Sequence, residues 1–422
     1  MTSLQQQLEE IGKKAKVASR IVAAASSQQK IHALTSLAKI LLDNQQAILS
    51  ANAKDVEAAK KQGLDEARLA RLTLTPAIVK EMADACIFVA NLPDPLGAIE
   101  SQWHQPNGML VGRMRISLGV IAMIFESRPN VIIDSAILCL KAGNAVIMRG
   151  GSEALHSNLY LASLLHQALQ TAGLPQDAAQ VVGTTDRAAI KEMCKLSKYI
   201  DVIIPRGGEA LIGMVTAEAT MPVLKHDKGV CHAYIDETAD LDSAIKIIYN
   251  SKVQRPSACN SLEGLLVHKA QAQALLPKLA EILGEAGVIF HACPQALPLI
   301  QGKAKVEALK EEEKGKEYLA LEMTVMVVDS LQEAMNYIAV HGSNHSELIC
   351  TNNHQNAMTF LREVDASMVA VNASTRFNDG GQLGLGAEIG ISTCKLHSYG
   401  PMGVKELTTT KFVVMGQGQI RS

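Results

Sequence analysis

From Gly119 onward the sequence alternates short apolar runs with amphipathic stretches, and this alternation constrains the fold more than any other feature. GVIAMIF (119–125) is continuously apolar, as a strand buried on both faces requires. Ile132, Ile133, Ala136, Ile137 and Leu140 follow at helical spacing, and Gly143 is a natural helix terminator. AVIM (145–148) reads as the next strand, followed by Gly150-Gly151-Ser152-Glu153 and a helix reaching Ala172. AQVVG, YIDVIIP and MPVLK repeat the pattern with helices between them. A βαβαβ order of this kind predicts a parallel, doubly wound α/β sheet.

A second α/β block follows Gly229. Its strands read as HAYID, LEGLLV, GVIFH, VMVV, ELICT and SMVAV, separated by helices over 241–250, 271–285, 331–340 and 355–363. The Lys/Glu-rich stretch 301–317 reads as solvated. Ahead of both blocks the first ninety residues look helical, with Leu34, Leu37, Ala38, Leu41 and Leu42 at helical spacing. Residues 107–117 differ: Met109, Val111, Arg113 and Arg115 alternate as on an exposed strand. Lys411 to Met415 is a further strand that stands apart after a Gly-rich stretch.

Length and charge narrow the function. A chain of 422 residues predicts two or three domains. Lys and Arg total 40 against 42 Asp and Glu, so no global basic field attracts nucleic acid or an anionic membrane. Aromatic residues are 3%, too few for a base-stacking surface. The apolar run Leu118–Phe125 is too short to span a bilayer, and the opening MTSLQQQLEE lacks the apolar segment of a signal peptide. Eight cysteines, at 86, 139, 194, 231, 259, 293, 350 and 394, form no CxxC pair. Their pattern fits reduced thiols and predicts a cytoplasmic protein. His341, His345 and His354 are poorly spaced for a metal, with Gly342-Ser343-Asn344 interrupting the first pair, so no metal ligands are assigned.

Three stretches have the residue types for chemistry. Gly150-Gly151-Ser152-Glu153, behind Arg149, follows a strand and opens a helix. It suits either an anion held on backbone N–H groups or an ordinary turn with Ser152 as N-cap. Neither it nor Arg206-Gly207-Gly208 matches GxGxxG, which argues against an ordinary Rossmann phosphate loop. Cys259, in RPSACNSLEGLLV, follows a Pro-Ser break and precedes an apolar strand. That position suits an activated thiolate beside backbone donors, although the pattern alone favours a buried structural cysteine. Cys231 is the rival; neighbouring residues on a strand face opposite ways, which argues against a Cys231–His232 dyad. Asn372 to Gly381 is polar and Gly-bearing after a strand, where α/β proteins place ligand contacts or simply a surface loop.

Taken together, IFESRPNV (124–131), IIPRGG (203–208), QRPSACN (254–260), VDSLQEAMNYIAVHGSNHSELI (328–349), VNASTRFNDGG (371–381), LGLGAEIGIST (383–393) and GPMGVKELTT (400–409) resemble the gamma-glutamyl phosphate reductase family. This is the proline-pathway branch of the aldehyde dehydrogenase superfamily, and the likeness runs from about residue 8 to the C-terminus.

The resemblance implies an aldehyde dehydrogenase-like fold of two parallel-sheet α/β domains plus a small β oligomerisation flap. The NADPH-binding domain takes 1–106 and 118–227, the catalytic domain 228–400, and the flap 107–117 with 401–422. It implies reduction of glutamyl 5-phosphate to glutamate 5-semialdehyde, the second step of proline biosynthesis from glutamate, with NADPH as cofactor. Cys259 matches the superfamily nucleophile and would pass through a thioester. Ser127 and Asn130 lie where the oxyanion-hole segment falls. Arg149, Gly150, Gly151, Ser152, Glu153, Arg206, Gly207, Gly208 and Glu317 would hold the cofactor, with Glu322 the neighbour of Glu317 that competes for its role. Arg128, His226, Asn260, Ser374, Thr375 and Arg376 would bind substrate. Where hydrolytic relatives place a glutamate base three residues before a glycine, this chain has His226 before Gly229, so efficient thioester hydrolysis is not expected. A homo-oligomer functionally coupled to glutamate 5-kinase is implied as well.

Overall fold

The computed structural model describes residues 3–225 and 228–421, and the chain divides into two compact units. The first comprises Met1–Lys225, Leu385–Gly390 and Met402–Ser422, and the second His226–Gly384 and Ile391–Pro401.

The first unit opens with five helices, Leu4–Ala24, Ser27–Asp43, Gln45–Lys61, Glu66–Leu72 and Pro76–Asn91. The first two begin with capping boxes, Ser3 with Gln6 and Ser26 with Gln29. Behind them lies a four-stranded parallel sheet in the order Ala179–Val181, Ala145–Arg149, Val120–Phe125, Val202–Arg206. Strand alternation divides Val120–Phe125 between two cores. Ile121, Met123 and Phe125 join the helical layer of Leu34, Leu37 and Leu41, while Val120, Ala122 and Ile124 pack on the opposite face. MPVLK, expected as a further strand, makes only a bridge from Val223 to Ile203, because Pro222 has no N–H with which to extend the ladder.

The same unit carries a three-stranded antiparallel ribbon. Leu110–Ser117 lies between Ile99–His104 and Thr408–Met415. Two boundaries read from the sequence therefore shift. Ile99–His104 is a ribbon strand rather than part of the preceding domain; IESQWH is exposed throughout and carries no alternation that reveals it. Residues 385–390 belong to the first unit, where Ile389, Met402, Val404 and Leu407 are buried in the helical core.

The second unit is built on a seven-stranded sheet, parallel throughout. Its order is Val306–Ala308, Ile289–Ala292, Glu322–Val328, Leu262–His268, Cys231–Ile235, Ser346–Cys350, Met368–Val371. All six strands expected here are present. The seventh, Val306–Ala308, falls inside the stretch read as solvated. That stretch also buries Glu313, whose Oε1 lies 3.2 Å from His291 Nδ1. Charge density alone concealed an edge strand and a buried carboxylate–imidazole contact. Among the described residues no helix is long and apolar enough to cross a membrane.

Candidate active site

In the second unit the helix Leu241–Val253 hands over to the fully buried strand Leu262–His268 through a tight turn that holds Cys259. Pro256 stops the helix from continuing. The turn is closed by Ala258 N–H donating to Arg255 O at 3.1 Å and Ser261 N–H donating to Ala258 O at 2.9 Å. Cys259 is partly exposed, whereas Cys231 is fully buried.

Cys231 lies in the strand Cys231–Ile235, sealed from solvent. Burial, then the charges of Glu347 and Cys259, push its thiol well above the ordinary range, so it stays protonated. The protonated thiol donates to Cys259 O at 3.3 Å and thereby braces the neighbouring turn. His232 turns away from it to Glu347, whose carboxylate accepts the His232 N–H at 3.0 Å.

The 372–381 loop folds onto the same turn. Asn260 Nδ2 donates to Asn378 O at 2.9 Å, and Thr375 Oγ1 donates to Asn260 O at 2.7 Å. Thr375 has no exposed surface, and Ser374 Oγ is bonded to Ser251 Oγ at 2.9 Å. Both are expected on the substrate; here the Thr375 hydroxyl fastens the loop to the Cys259 turn, and that of Ser374 fastens it to the helix Leu241–Val253. Asn260 Oδ1 is buried without a hydrogen-bond partner. Arg376 is half-buried and donates through Nε to Gln254 Oε1 at 3.0 Å. Burial and repulsion from Arg255 lower its pKa, while Cys259 among others opposes that shift. Two guanidinium groups thus act on the electrostatics of this region.

Gly229 approaches the turn most closely. A Cβ there would sit 1.9 Å from Cys259 O and 2.7 Å from its Cα. The Gly229 N–H donates to Glu317 Oε1 at 2.9 Å. Burial raises the Glu317 carboxyl, against the pull of that N–H and of Lys228 and Lys252. Glu317, expected on the cofactor ribose, is therefore also tied to the backbone that supports Cys259. His226 lies outside the described residues.

In the first unit Ser127, at φ +39°, follows the central strand, and both its N–H and its hydroxyl donate to Glu153 Oε1. Burial opposes charge on Glu153, but the Ser127 donors and the Arg149 guanidinium hold its carboxyl below the usual range. Asn130 Nδ2 donates to Asp134 at 2.9 Å. Both side chains assigned to an oxyanion hole thus have carboxylate acceptors within their own unit. Arg128, between them, is half-buried.

Gly150 and Gly151 are required by their own surroundings. A Cβ would meet Asn158 Nδ2 at 2.2 Å and the Glu153 carboxylate at 2.1 Å respectively. Ser152 is exposed in a 3₁₀ turn rather than capping the helix Leu155–Thr171. That cap comes from Asp55 on the helix Gln45–Lys61, which accepts from His156 N–H at 3.1 Å and Ser157 N–H at 2.7 Å. A contact spanning a hundred residues leaves no local sequence signal.

Whether these residues suit an anionic dinucleotide is answered by two observations. Arg149, 5% exposed, donates to Gly150 O and Thr185 O, yet its Nε is buried without a partner. Gly208, which begins the helix Glu209–Glu218, has open space where a Cβ would stand; its N–H donates to Glu126 Oε2 at 3.1 Å. Gly207 leaves room for that same carboxylate, and the Arg206 charge acts on half-buried Asp134. The unsatisfied guanidinium nitrogen is a donor such a group can use, whereas the helix start offers space but has its first N–H already taken by the Glu126 carboxylate.

The aldehyde dehydrogenase family model matches residues 2–289. A gamma-glutamyl phosphate reductase of Oleidesulfovibrio alaskensis is 66% identical over 418 residues, 99% of each chain. One of Meiothermus ruber is 53% identical, covering 96% of this chain and 97% of the relative. The crystal structure of gamma-glutamyl phosphate reductase from Thermotoga maritima superposes with a TM-score of 0.96 at 41% identity, covering 98% of this chain and 100% of that one. An acetylating aldehyde dehydrogenase from Geobacillus thermoglucosidasius shares the fold, with a TM-score of 0.69 at 18% identity over 99% of this chain and 98% of that one.

Proposed function

We propose that this chain, which belongs to the gamma-glutamyl phosphate reductases of the aldehyde dehydrogenase family, converts L-glutamyl 5-phosphate to L-glutamate 5-semialdehyde and phosphate through a thioester on Cys259, with NADPH as the reductant. Membership makes it an oxidoreductase of proline biosynthesis that uses a nicotinamide cofactor. The thioester and the choice of NADPH are our reading.

The observation that carries it is the contrast between the two cysteines. Cys259 is partly exposed in a turn braced on every side, while Cys231 is buried and bonded to that turn. Cys259 Sγ attacks the acyl carbonyl, the C–S bond forms, and the bond to phosphate breaks with its electron pair leaving on phosphate. Arg376 and Arg128 would pair with the substrate's anionic groups, and the unpartnered Asn260 Oδ1 would accept from a donor such as the substrate's ammonium group. When bound, the nicotinamide cofactor supplies the hydride that takes the acyl group to the aldehyde level. Arg149, Gly208 and Glu317 would hold it; the Arg149 charge suits a 2′-phosphate. Water is not the thioester's intended partner, and in reverse phosphate takes that place. The ribbon pairs with another copy of the chain, since it exposes Trp103, Phe412 and Val414.

The test is NADP⁺ reduction with glutamate 5-semialdehyde, with and without inorganic phosphate. Turnover requires phosphate, Cys259→Ala abolishes it, and Cys231→Ala retains it with reduced stability. Near-normal activity of Cys259→Ala refutes the reading.

A further inference from the structure

We propose that the buried ion pair Lys252–Glu263 is a positioning device for the nucleophile turn, acting through the backbone of Leu319. Neither side chain has exposed surface, and Lys252 Nζ lies 3.0 Å from Glu263 Oε2. Two charges removed from water are a poor way to stabilise a fold, because apolar residues of similar volume serve as well or better. This pair therefore calls for another explanation, and its second oxygen provides one. Glu263 Oε1 accepts the Leu319 N–H at 3.2 Å. The Tyr318 N–H acts on the same carboxylate.

Leu319 needs that hold. It sits at φ +54°, in the left-handed region that an L-residue with a large side chain adopts only under constraint. Its side chain is 41% exposed, so packing does not supply the constraint. Two residues earlier is Glu317, whose Oε1 accepts the Gly229 N–H at 2.9 Å, and Gly229 lies against the Cys259 carbonyl so closely that a Cβ would stand 1.9 Å from it. A continuous path thus runs from Lys252 through Glu263, the 317–319 backbone and Gly229 to Cys259. Lys252 holds Glu263 as an acceptor, against the burial that raises its carboxyl. Lys252 and Glu263 touch no reacting atom in this account.

The inference rests on Cys259 being the nucleophile. Its readout is peptide-resolved iodoacetamide labelling of Cys259, which needs no turnover, so its failure is distinct from failure of that assignment in the Cys259→Ala assay. Two double variants of the full chain are compared. Lys252→Met/Glu263→Met removes charge and acceptor; Lys252→Met/Glu263→Gln removes charge but keeps a carbonyl for Leu319 N–H. With both native by circular dichroism, the first is expected to label Cys259 at least tenfold more slowly than wild type, and the second within threefold. Equal rates in the two variants, fast or slow, overturn the proposal. If the first variant does not fold, Lys252→Met/Glu263→Leu, which also removes the acceptor, takes its place under the same criterion: slower labelling of Cys259 and faster deuterium exchange of the 317–321 amides than in the second variant support the proposal, and equal rates overturn it.

Discussion

Gly229→Ala is the smallest change aimed at the largest effect. The added methyl carbon would stand 1.9 Å from Cys259 O, whereas ordinary contact begins at 3.4 Å, so the two backbones must separate by about 1.5 Å. Neither side yields freely. Gly229 N–H is bonded to Glu317, and the Cys259 turn is held by Cys231, by Ser261 N–H, and by Asn260 and Thr375 on the loop beyond. A displacement of about an ångström in a reacting group lowers the rate roughly 10²-fold, about 2.7 kcal/mol in activation free energy. Glutamate semialdehyde oxidation with saturating phosphate should therefore fall about a hundredfold in kcat. Cofactor affinity, read by quenching of protein fluorescence or by calorimetry, should change less, because Glu317 is the one residue proposed to hold the cofactor that also bonds to Gly229. Cys259 labelling by iodoacetamide should slow in parallel with kcat. A purified Gly229→Ala protein of native circular dichroism with kcat within threefold of wild type would show that the turn adapts and that its placement does not limit the chemistry.

Arg149→Ala is expected to weaken NADPH by roughly 10- to 100-fold, the equivalent of one charge-assisted contact, and NADH much less; equal losses in a binding titration would assign Arg149 to holding the Gly150 and Thr185 carbonyls alone. Asp134 is half-buried, and loss of hydration raises its carboxyl from 3.8 to about 6 against the Asn130 hydrogen bond and the Arg206 charge. A raised carboxyl favours the fold fully below the lower value and loses that contribution as pH rises through the higher one. Asp134→Asn should thus gain on wild type by up to about 3 kcal/mol between pH 4 and 7 in urea unfolding; a pH-independent difference contradicts this. Deleting residues 409–422 removes a ribbon strand and should give monomers or insoluble protein, against which an active deletion of unchanged mass in light scattering would count.

The strands that lie between two packed layers were legible because burial on both faces leaves an uninterrupted apolar run, as in Val120–Phe125. Ile99–His104 was not, since it is exposed along its whole length and owes its pairing to Leu110–Ser117 and the turn between them. Pro256 and Ser257 before an apolar strand marked Cys259 as a candidate, but it was the family resemblance, not that pattern, that separated it from a buried structural cysteine. What surrounds it could not be read, because hydroxyl and carboxylate partners lie far apart in the chain: Ser127 with Glu153, Thr375 with Asn260, Gly229 with Glu317. A serine or threonine in a promising loop looks the same in sequence whether it meets a ligand or a neighbouring carbonyl. Lys252 and Glu263, eleven residues apart, gave no hint that both are sealed from water.

On the ribosome the first unit must wait for the end of the chain. When its initial 225 residues have emerged, Leu110–Ser117 still lacks the partner that Thr408–Met415 supplies, and the helical core still lacks Met402, Val404 and Leu407. At ordinary elongation rates the delay is on the order of 10–40 s, long beside the closing of a helical layer. The half-built unit thus presents an unpaired strand edge throughout, a surface prone to wrong pairing. The second unit, interrupted only by residues 385–390, completes its sheet with Met368–Val371 while that edge is still open. Synthesis order and sequence order therefore disagree: the part translated first finishes last, and a stop codon in the final twenty residues strikes the folding of the beginning.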